Sequence, residues 1–257
     1  MRVGLLHPGA MGAFLGSGLA SAGHEVVWAS HGRSGQTRTR AAAFTDVGSL
    51  GEVVRTAPVI ISVCPPESAL QVARAVAGLG FTGLYLDANA VSARTVQAIA
   101  DLLPDVLDGA VIGGPSTEEA VLHVAGGRAA DAAAIFDPAV VRTEIHEGTV
   151  GTASTLKACY AASTKAVTAL LLATRAAARA AGVEDVLVAE WARTMPEVLS
   201  RSDSSLQSIG AKAWRFSAEM DEAGDVFDDR GVPSGFSRAA AEVFARLADL
   251  RDVPYDD

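Results

Sequence analysis

Several features that are common in proteins are scarce in this sequence of 257 residues. Its two cysteines, Cys64 and Cys159, lie in apolar stretches with no CxxC pairing, so neither a disulfide framework nor a zinc site is expected. Basic residues number 21 against 30 acidic ones, and the formal net charge of -9 argues against nucleic acid and anionic membranes as partners. The histidines and acidic residues show no metal-ligand spacing, so no metal site is predicted.

Long apolar runs are also missing. The stretch from Ala166 to Ala173 is bounded by Lys165 and Arg175, and it is too short to span a membrane. The first residues, MRVGLLHPGAMG, pass from a short apolar run directly into a glycine-rich turn, which is not the pattern of a signal peptide. We therefore expect a cytoplasmic protein with a sizeable core, since apolar residues make up 49% of the chain.

Short apolar runs alternate with helical patterns over the first half of the sequence. The predicted strands are Arg2–Leu6, Glu25–Ala29, Pro58–Val63, Leu84–Asp87, Val106–Ile112, Leu122–Ala125 and Val140–Ile145. Helices are predicted at Ala10–Ala22 and Ala93–Leu103. Because the strands are continuously apolar and alternate with helices, the pattern predicts an α/β Rossmann domain with a doubly wound parallel sheet over residues 1–147.

Only helical patterns follow Gly148. A long Ala- and Leu-rich pattern at Thr149–Ala181 has no proline and would span about 45 Å as one helix. Further helices are predicted at Val183–Ser200, Leu206–Ala223 and Ser234–Leu250, and Pro196 is expected to kink or split the first of these. Residues 148–257 are therefore predicted to form an all-α domain that contributes to the substrate site and to dimerisation.

A glycine-rich turn joins the first strand to the first helix. Its sequence is His7-Pro8-Gly9-Ala10-Met11-Gly12. A dinucleotide pyrophosphate needs the backbone N–H groups of a helix N-terminus and no side chain in the way, and Gly9 and Gly12 meet that need. His7 stands where the usual pattern has its first glycine. We expect Gly9, Ala10, Met11 and Gly12 to bind the pyrophosphate.

The segment after the second strand indicates which dinucleotide binds. Enzymes that use NAD usually carry an acidic residue here, which bonds the ribose 2′-hydroxyl. This sequence reads Trp28-Ala29-Ser30-His31-Gly32-Arg33-Ser34, without a carboxylate. Ser30 and Arg33 instead offer donors suited to a 2′-phosphate, so NADP(H) is the expected cofactor.

Five motifs carry a resemblance to a known family. They are PGAMG, SVCPP at Ser62–Pro66, LDANAVS at Leu86–Ser92, DGAVIGGP at Asp108–Pro115 and GTASTLK at Gly151–Lys157. Together they resemble the β-hydroxyacid dehydrogenase superfamily, which includes 3-hydroxyisobutyrate and 6-phosphogluconate dehydrogenases. The later stretches AKAWRFSAEMDEAGDVF and GVPSGFSRAAAEVF resemble the subgroup with a phosphogluconate-dehydrogenase-like C-terminal domain of unknown function.

The resemblance implies a role for individual residues. Cys64, Pro65 and Pro66 would line the nicotinamide side, and Asn89 would contact the nicotinamide or the substrate. Gly113 and Gly114 would present backbone N–H groups to the substrate's acid or carbonyl. Lys157 would donate or accept the proton.

This sequence departs from the family's pattern at two positions. Ile112 replaces the usual serine before the paired glycines, and Ala161 replaces the usual asparagine four residues after the lysine. Both lost groups help to hold a hydroxyacid, so an atypical substrate is expected. Trp214 and Glu219 are candidates to close the substrate pocket, although a core aromatic and a solvated charge are the alternatives for them.

The predicted activity is hydride transfer between NADP(H) and a small carbonyl or hydroxy substrate, with Lys157 as general acid and base. Two alternatives stay open: imine reduction, and a non-catalytic NADP(H)-binding protein. A homodimer is also predicted, because the long helix Thr149–Ala181 is more apolar than the following residues can cover. Leu170, Leu171 and Leu172 mark its most apolar stretch.

Overall fold

The computed structural model describes residues 1–208 and 213–247, without the side chains of residues 206–208 and 214. The chain divides into two compact units, Met1–Lys157 and a second that begins at Ala158. The boundary predicted at residues 147 and 148 lies earlier than this division. The difference arises because the segment from Gly151 to Ser154 hydrogen-bonds to a strand of the first unit.

One sheet organises the first unit. In spatial order its strands are β3 (Thr45–Asp46), β2 (Glu25–Trp28), β1 (Arg2–Leu6), β4 (Val59–Ser62), β5 (Leu84–Asp87), β6 (Val106–Ile112), β7 (Val121–Ala125) and β8 (Arg142–His146). Neighbours from β3 to β6 are parallel. Strand β7 runs antiparallel to β6, and β8 runs parallel to β7.

Helices cover both faces of this sheet. They are α1 (Ala10–Ser21), α2 (Gly35–Arg40), α3 (Leu50–Thr56), α4 (Pro66–Gly78), α5 (Ala93–Ala100) and α6 (Ala129–Ala134). One apolar cluster includes Leu15 and Leu19 of α1, and a second includes Val53, Ala73 and Val76 of α3 and α4. Because both faces are covered, β4 and β5 are buried along their whole length, which explains their uninterrupted apolar sequence.

The predicted doubly wound α/β architecture is confirmed, with two differences at the margins of the sheet. The two-residue strand β3 was missed, because Thr45 and Asp46 are exposed and carry no apolar signal. The sheet is also not wholly parallel, since β6 and β7 form an antiparallel pair. Their connection, residues 113–120, is too short for the helical crossover that a parallel pair requires.

The helical elements of the remaining chain begin with α7 (Thr152–Ala161), a π-helical turn (Ala162–Ala166) and α8 (Val167–Ala180). These follow one another without a break, so the predicted long helix is present but contains one wide turn. The next helices are α9 (Glu184–Thr194), α10 (Pro196–Ser208), α11 (Ala213–Asp229) and α12 (Gly235–Leu247). Pro196 splits the helix predicted at 183–200, as expected of a residue without an N–H group.

The second unit has its own apolar core. Leu172, Met220 and Phe244 are buried there, and Phe216 packs edge-on against Phe244. Parts of two predicted helices fall on residues 209–212 and 248–250, which lie outside the described residues. In the part of the chain that is described, no helix combines the length and the apolar character that crossing a bilayer requires.

Candidate functional site

The sheet brings most of the predicted site residues to one edge. Strands β2, β1, β4, β5 and β6 are parallel neighbours, so their carboxyl ends meet at the same side of the sheet. The predicted residues follow these strands in turn: Gly9–Gly12 after β1, Ser30 and Arg33 after β2, Cys64–Pro66 after β4, Asn89 after β5, and Gly113 and Gly114 after β6. Ligands of doubly wound sheets bind at this edge, where the strand order reverses beside β1.

The turn after β1 has an open helix N-terminus. Gly9 is the N-cap of α1 and provides no side-chain hydrogen bond to the first turn. His7 takes a positive φ of 63°, a conformation usually reserved for glycine, which is the residue that the dinucleotide pattern has here. A Cβ on Gly12 would lie 2.7 Å from the carbonyl oxygen of His7. The N–H of Gly9 donates to the carbonyl oxygen of His7 over 2.7 Å, so the N–H groups that follow it in the turn are the ones that fit a pyrophosphate.

A cavity of about 240 Å³ lies beside this turn. Its lining comes from the end of β1, the loop after β2 and helix α4, and it includes His7, Ala29, Arg33, Gln71 and Ala75. Two buried nitrogens, His7 Nδ1 and Arg33 Nε, have no hydrogen-bond partner among the described residues. Buried donors and acceptors are normally paired, so their presence beside a cavity fits a polar ligand.

Burial also lowers the pKa of both side chains. Desolvation, assisted by the positive charge of Arg33, lowers the pKa of His7 to about 4. Desolvation lowers the pKa of the Arg33 guanidinium as well. His7 is therefore neutral at neutral pH, and Arg33 supplies the positive charge beside the cavity.

The lowered pKa of His7 predicts an acid-sensitive fold. Above pH 6.5 the imidazole is neutral in both the folded and the unfolded chain, and it adds no pH dependence. As the pH falls from 6.5 to about 4, only the unfolded chain takes up the proton, so folding becomes less favourable. The full shift corresponds to about 3 kcal/mol at most.

Replacing His7 tests this expectation. Asparagine tolerates positive φ and does not titrate, so His7→Asn should reduce the loss of unfolding free energy between pH 6.5 and 4 by up to about 3 kcal/mol. Urea unfolding at several pH values measures it, with His24→Asn at the start of β2 as the control. If His7→Asn and His24→Asn both lost as much unfolding free energy between pH 6.5 and 4 as the unmodified protein does, the prediction that His7 is buried in its neutral form would be wrong.

The loop after β2 is held by groups that the sequence analysis missed. Asp46, at the end of β3, accepts hydrogen bonds from the N–H groups of Ser30 (3.1 Å) and Gly48 (2.8 Å). The Ser30 side chain and these N–H groups lower the pKa of Asp46. Arg38 of α2 donates to the carbonyl oxygen of Ser30 over 2.9 Å. A carboxylate thus lies beside the loop after all, since the pairing of β2 with β3 brings Asp46 opposite Trp28.

Asn89 lies at the centre of a buried polar network. Its Oδ1 accepts the N–H of Cys64 over 2.6 Å, and its Nδ2 donates to Ser62 Oγ (3.3 Å) and Asp87 Oδ2 (2.7 Å). Its side chain therefore ties the loop after β4 to the loop after β5. Burial raises the pKa of the Cys64 thiol to about 12, which favours the protonated thiol at neutral pH. A direct contact of Asn89 with nicotinamide or substrate stays a prediction.

Lys157 reaches the end of β6. Its Nζ donates to the carbonyl oxygen of Val111 over 2.6 Å, and Val111 lies two residues before Gly113. The side chain is half-buried. The structure therefore brings Lys157 together with the predicted glycine pair at the edge of the sheet where the cofactor turn lies.

Asp108, which the sequence analysis did not single out, sets the start of the lysine helix. Its buried carboxylate accepts from the N–H groups of Gly151 (2.9 Å) and Ser154 (3.0 Å) and from Ser154 Oγ (2.6 Å). Burial raises the pKa of Asp108, while these donors favour its ionised form. Asp108 of β6 thus caps the first turn of α7, which includes Ser154, three residues before Lys157. The motif DGAVIGGP contained the signal, an acid within an apolar strand.

The glycine pair after β6 carries a negative neighbour. Gly113 has a φ of 102°, and a Cβ on Gly114 would lie 2.4 Å from Glu119 Oε2. Ile112 is partly buried in front of this turn. A carboxylate so close to the expected substrate-binding backbone disfavours an anionic group there.

The remaining predicted site residues belong to the second unit. Glu219 of α11 forms a salt bridge with Lys165, and the Lys165 ammonium lies 4.6 Å from the centroid of the Phe216 ring. Trp214 also lies in α11, but its side chain is outside the described residues. Ala161 is buried in the apolar core of the helical unit. A substrate role for Trp214 and Glu219 stays a prediction.

A cluster of potential metal ligands was missed altogether. His123 of β7 and Glu144 and His146 of β8 place their ligand atoms within 4.8 Å of one another. The spacing along the chain hides this group, because the pairing of β7 with β8 is needed to bring it together. The one local signal is Glu-x-His at 144 and 146, two residues that share a face of a strand.

Comparison with known proteins agrees with this architecture. The family model described as a domain of unknown function (DUF1932) matches residues 178–247. An uncharacterized 28.5 kDa protein in the 7S RNA 5′ region of Methanothermus fervidus is 31% identical over 139 residues. That match spans 53% of this chain and 54% of the other protein, about half the length of each.

Solved structures match over nearly the whole chain. MTH1747, a conserved protein of unknown function with structural similarity to 3-hydroxyacid dehydrogenases, is 28% identical, with a TM-score of 0.69 and 98% of each chain covered. The 3-hydroxyisobutyrate dehydrogenase of Mycobacterium tuberculosis is 19% identical, with a TM-score of 0.68 and coverage of 96% and 94%. A reductive aminase from Aspergillus terreus, in complex with NADPH and ethyl levulinate, is 15% identical, with a TM-score of 0.57 and coverage of 96% and 93%.

The α/β unit and the helices that follow it share the fold of 3-hydroxyacid dehydrogenases. Residues 178–247 match the DUF1932 family model, and the whole chain is similar in structure to β-hydroxyacid dehydrogenase-like proteins.

Proposed function

We propose that the protein is an NADP(H)-dependent oxidoreductase that transfers hydride to or from a small carbonyl or hydroxy compound, with Lys157 as general acid and base. The observation that carries this proposal is the position of Lys157 Nζ, 2.6 Å from the Val111 carbonyl at the sheet edge where the open N-terminus of α1 lies. A dinucleotide turn and a lysine at the same edge are what such a reaction needs.

The cofactor, when bound, supplies the hydride in reduction and accepts it in oxidation, and this chain manages the proton. In reduction the Lys157 ammonium donates a proton to the carbonyl oxygen of the substrate, and in oxidation the neutral amine accepts it from the hydroxyl. The Val111 carbonyl fixes one N–H of Lys157, which orients the amine beside Gly113 and Gly114. Turnover of NADPH with a panel of keto acids, aldehydes and cyclic imines tests the activity and separates it from a non-catalytic NADP(H)-binding protein.

The preference for NADP(H) rests on Arg33 and Arg38. Arg33 lines the cavity beside the turn, and Arg38 holds the Ser30 carbonyl, so two guanidinium groups lie near the expected 2′-phosphate. Arg33→Ala should weaken NADPH binding by roughly ten- to a hundredfold and leave NADH binding nearly unchanged, because only NADPH carries that phosphate. Titration by nicotinamide fluorescence measures the dissociation constants of NADPH and NADH.

Arg40→Ala is the matched control for this cofactor test. Arg40 is an exposed arginine on the same helix as Arg38 and does not line the cavity. Removing the Arg40 side chain should change the dissociation constant of neither NADPH nor NADH. Equal binding of NADH and NADPH by the unmodified protein would contradict the proposal, and Asp46 would then be the candidate to bond the ribose.

Imine reduction is the second candidate function. Glu119 Oε2 lies 2.4 Å from the position that a Cβ on Gly114 would take, so the site beside the glycine pair favours a cationic iminium over a carboxylate. The fold is shared with the Aspergillus terreus reductive aminase. In the substrate panel, cyclic imines would then be turned over faster than keto acids. Glu119→Gln, which removes the negative charge, would reduce this difference in turnover rate.

We also propose a homodimer formed through the helical unit. Ala169, Leu171 and Leu172 do not need a second subunit to cover them, because they are buried within that unit. Leu170 is 62% exposed and lies on the same helix as the partly exposed Val167. An apolar surface of this kind on a helix is typical of a subunit interface.

Changing the exposed leucine tests the homodimer. Leu170→Glu should weaken association by roughly tenfold or more, since a charge would be buried in an apolar contact. Light scattering at micromolar concentration measures the mass, and Leu79→Glu on the exposed end of α4 is the control. A monomer in the unmodified protein would overturn the proposal.

A further inference from the structure

The last two strands of the sheet at the end opposite β3, which are β7 and β8, carry a group of side chains that the proposed reaction does not use. His123 projects from β7, and Glu144 and His146 project from β8, the edge strand. The two strands are parallel, with His123 paired to Glu144 and Ala125 paired to His146. Residues 144 and 146 lie two apart, so they share one face of β8, and the pairing puts His123 on that face.

The geometry within this group is close. His123 Nδ1 lies 2.8 Å from His146 Nε2 and 3.7 Å from Glu144 Oε2. The atoms available for coordination all lie within 4.8 Å of one another. Each side chain is partly buried, so the group is accessible to an ion in solution yet held by the sheet.

The two facing ring nitrogens explain why a cation is expected. At 2.8 Å they can share only one proton, which must sit on one ring or the other. A metal ion bound to both would replace that proton. With zinc–nitrogen bonds of about 2.0–2.1 Å and tetrahedral angles, the nitrogens would lie about 3.3 Å apart, so the rings need to separate by roughly half an ångström. His146 lies on the edge strand β8 and is only partly buried, so its ring has room for such a movement.

We propose that His123, Glu144 and His146 form a binding site for a divalent transition-metal cation of the zinc type. Two imidazoles and one carboxylate are a ligand set that binds zinc in proteins, with a fourth position left for water. The ion would link β7 to the edge strand β8. Its ligands lie on other strands than the proposed cofactor turn.

The neighbouring Arg142 competes with this ion. Its guanidinium forms a salt bridge with Glu144, and the Arg142 side chain is 68% exposed. An ion at the site must share the carboxylate with this arginine or displace it. Removing Arg142 should therefore strengthen metal binding, an effect opposite in sign to that of removing a ligand.

Titration of the tag-free full-length protein with ZnCl₂, after treatment with EDTA, tests the proposal. The Cys159→Ser background is used throughout, because the exposed thiol of Cys159 can bind zinc by itself. Calorimetry should give one site per chain. His123→Ala and His146→Ala should each weaken zinc binding by at least roughly tenfold, equivalent to about 1.4 kcal/mol. His24→Ala, which removes a histidine elsewhere, should leave it unchanged.

Two further variants keep the test decisive if a histidine variant folds poorly. Glu144→Gln retains the size of the side chain and should weaken binding, and Arg142→Ala should tighten it. Titration with Co²⁺ adds a direct readout, since its visible absorption band reports coordination by nitrogen and oxygen. Absence of zinc binding, or binding that is equal in the His123→Ala, His146→Ala and His24→Ala proteins, would overturn the proposal.

Discussion

Replacing Lys157 with alanine should lower turnover by roughly 10²- to 10⁴-fold, the usual contribution of a general acid or base. The affinity for NADPH should barely change, because the pyrophosphate is expected on the turn from Gly9 to Gly12 and not on α7. Stopped-flow measurement of NADPH oxidation, with the best substrate from the panel, gives the first value. Fluorescence titration of NADPH gives the second.

A conservative variant separates proton transfer from simple positive charge. Arginine keeps the charge and can still donate to the Val111 carbonyl, but it does not release its proton at accessible pH. Lys157→Arg should therefore be almost as inactive as Lys157→Ala. Lys165→Arg serves as a control within the following π-helical turn, because arginine can keep the salt bridge that Lys165 forms with Glu219. Near-normal turnover in Lys157→Ala would contradict the assignment.

Replacing Asp108 should produce a large loss of stability in the α/β unit. Its carboxylate accepts three hydrogen bonds from Gly151 and Ser154, all within the buried interior. Asp108→Ala would leave these donors without a partner, at a cost of about 3–5 kcal/mol in unfolding free energy. The corresponding fall in Tm is roughly 6–20 °C, and scanning calorimetry measures it.

The effect on catalysis distinguishes positioning from stability. Asp108→Asn keeps the volume but offers one acceptor oxygen in place of two, so α7 should still form while its first turn shifts. We expect this variant to lower kcat and to leave the affinity for NADPH unchanged at temperatures well below its Tm. Asp101→Asn, at the exposed end of α5, is the control. Unchanged kcat and Tm in Asp108→Asn would show that the three hydrogen bonds do not set the position of Lys157.

Most of the fold could be predicted from the sequence, because the strongest indications of strands, helices and turns come from residues that are adjacent in the chain. Apolar runs such as PVIISV and glycine turns such as PGAMG depend on residues that are adjacent in the chain, and the doubly wound sheet follows from their alternation. What the sequence does not encode locally is strand direction. Nothing within Leu122–Ala125 distinguishes an antiparallel strand from a parallel one, and the short connection from β6 was the available clue.

The candidate site was predictable only in part for a similar reason. Motif residues such as Gly12, Arg33 and Lys157 are recognisable one by one, and the parallel strands then bring their loops together. Asp46 and Asp108 act through partners that are distant in the chain, so their roles require the strand pairing and the packing of α7. The cluster of His123, Glu144 and His146 is the extreme case, because it exists only through the register of two strands.

The antiparallel pairing of β6 and β7 also decides which way Lys157 points. Since β7 and β8 run opposite to β6, the chain leaves β8 at the edge of the sheet where β6 begins. There Gly151 and Ser154 dock on Asp108, near the start of β6, and α7 then advances alongside that strand until Lys157 meets Val111. If β7 and β8 ran parallel to β6, helix α7 would start at the carboxyl ends of the strands, where the cofactor turn lies. It would then carry Lys157 away from that turn.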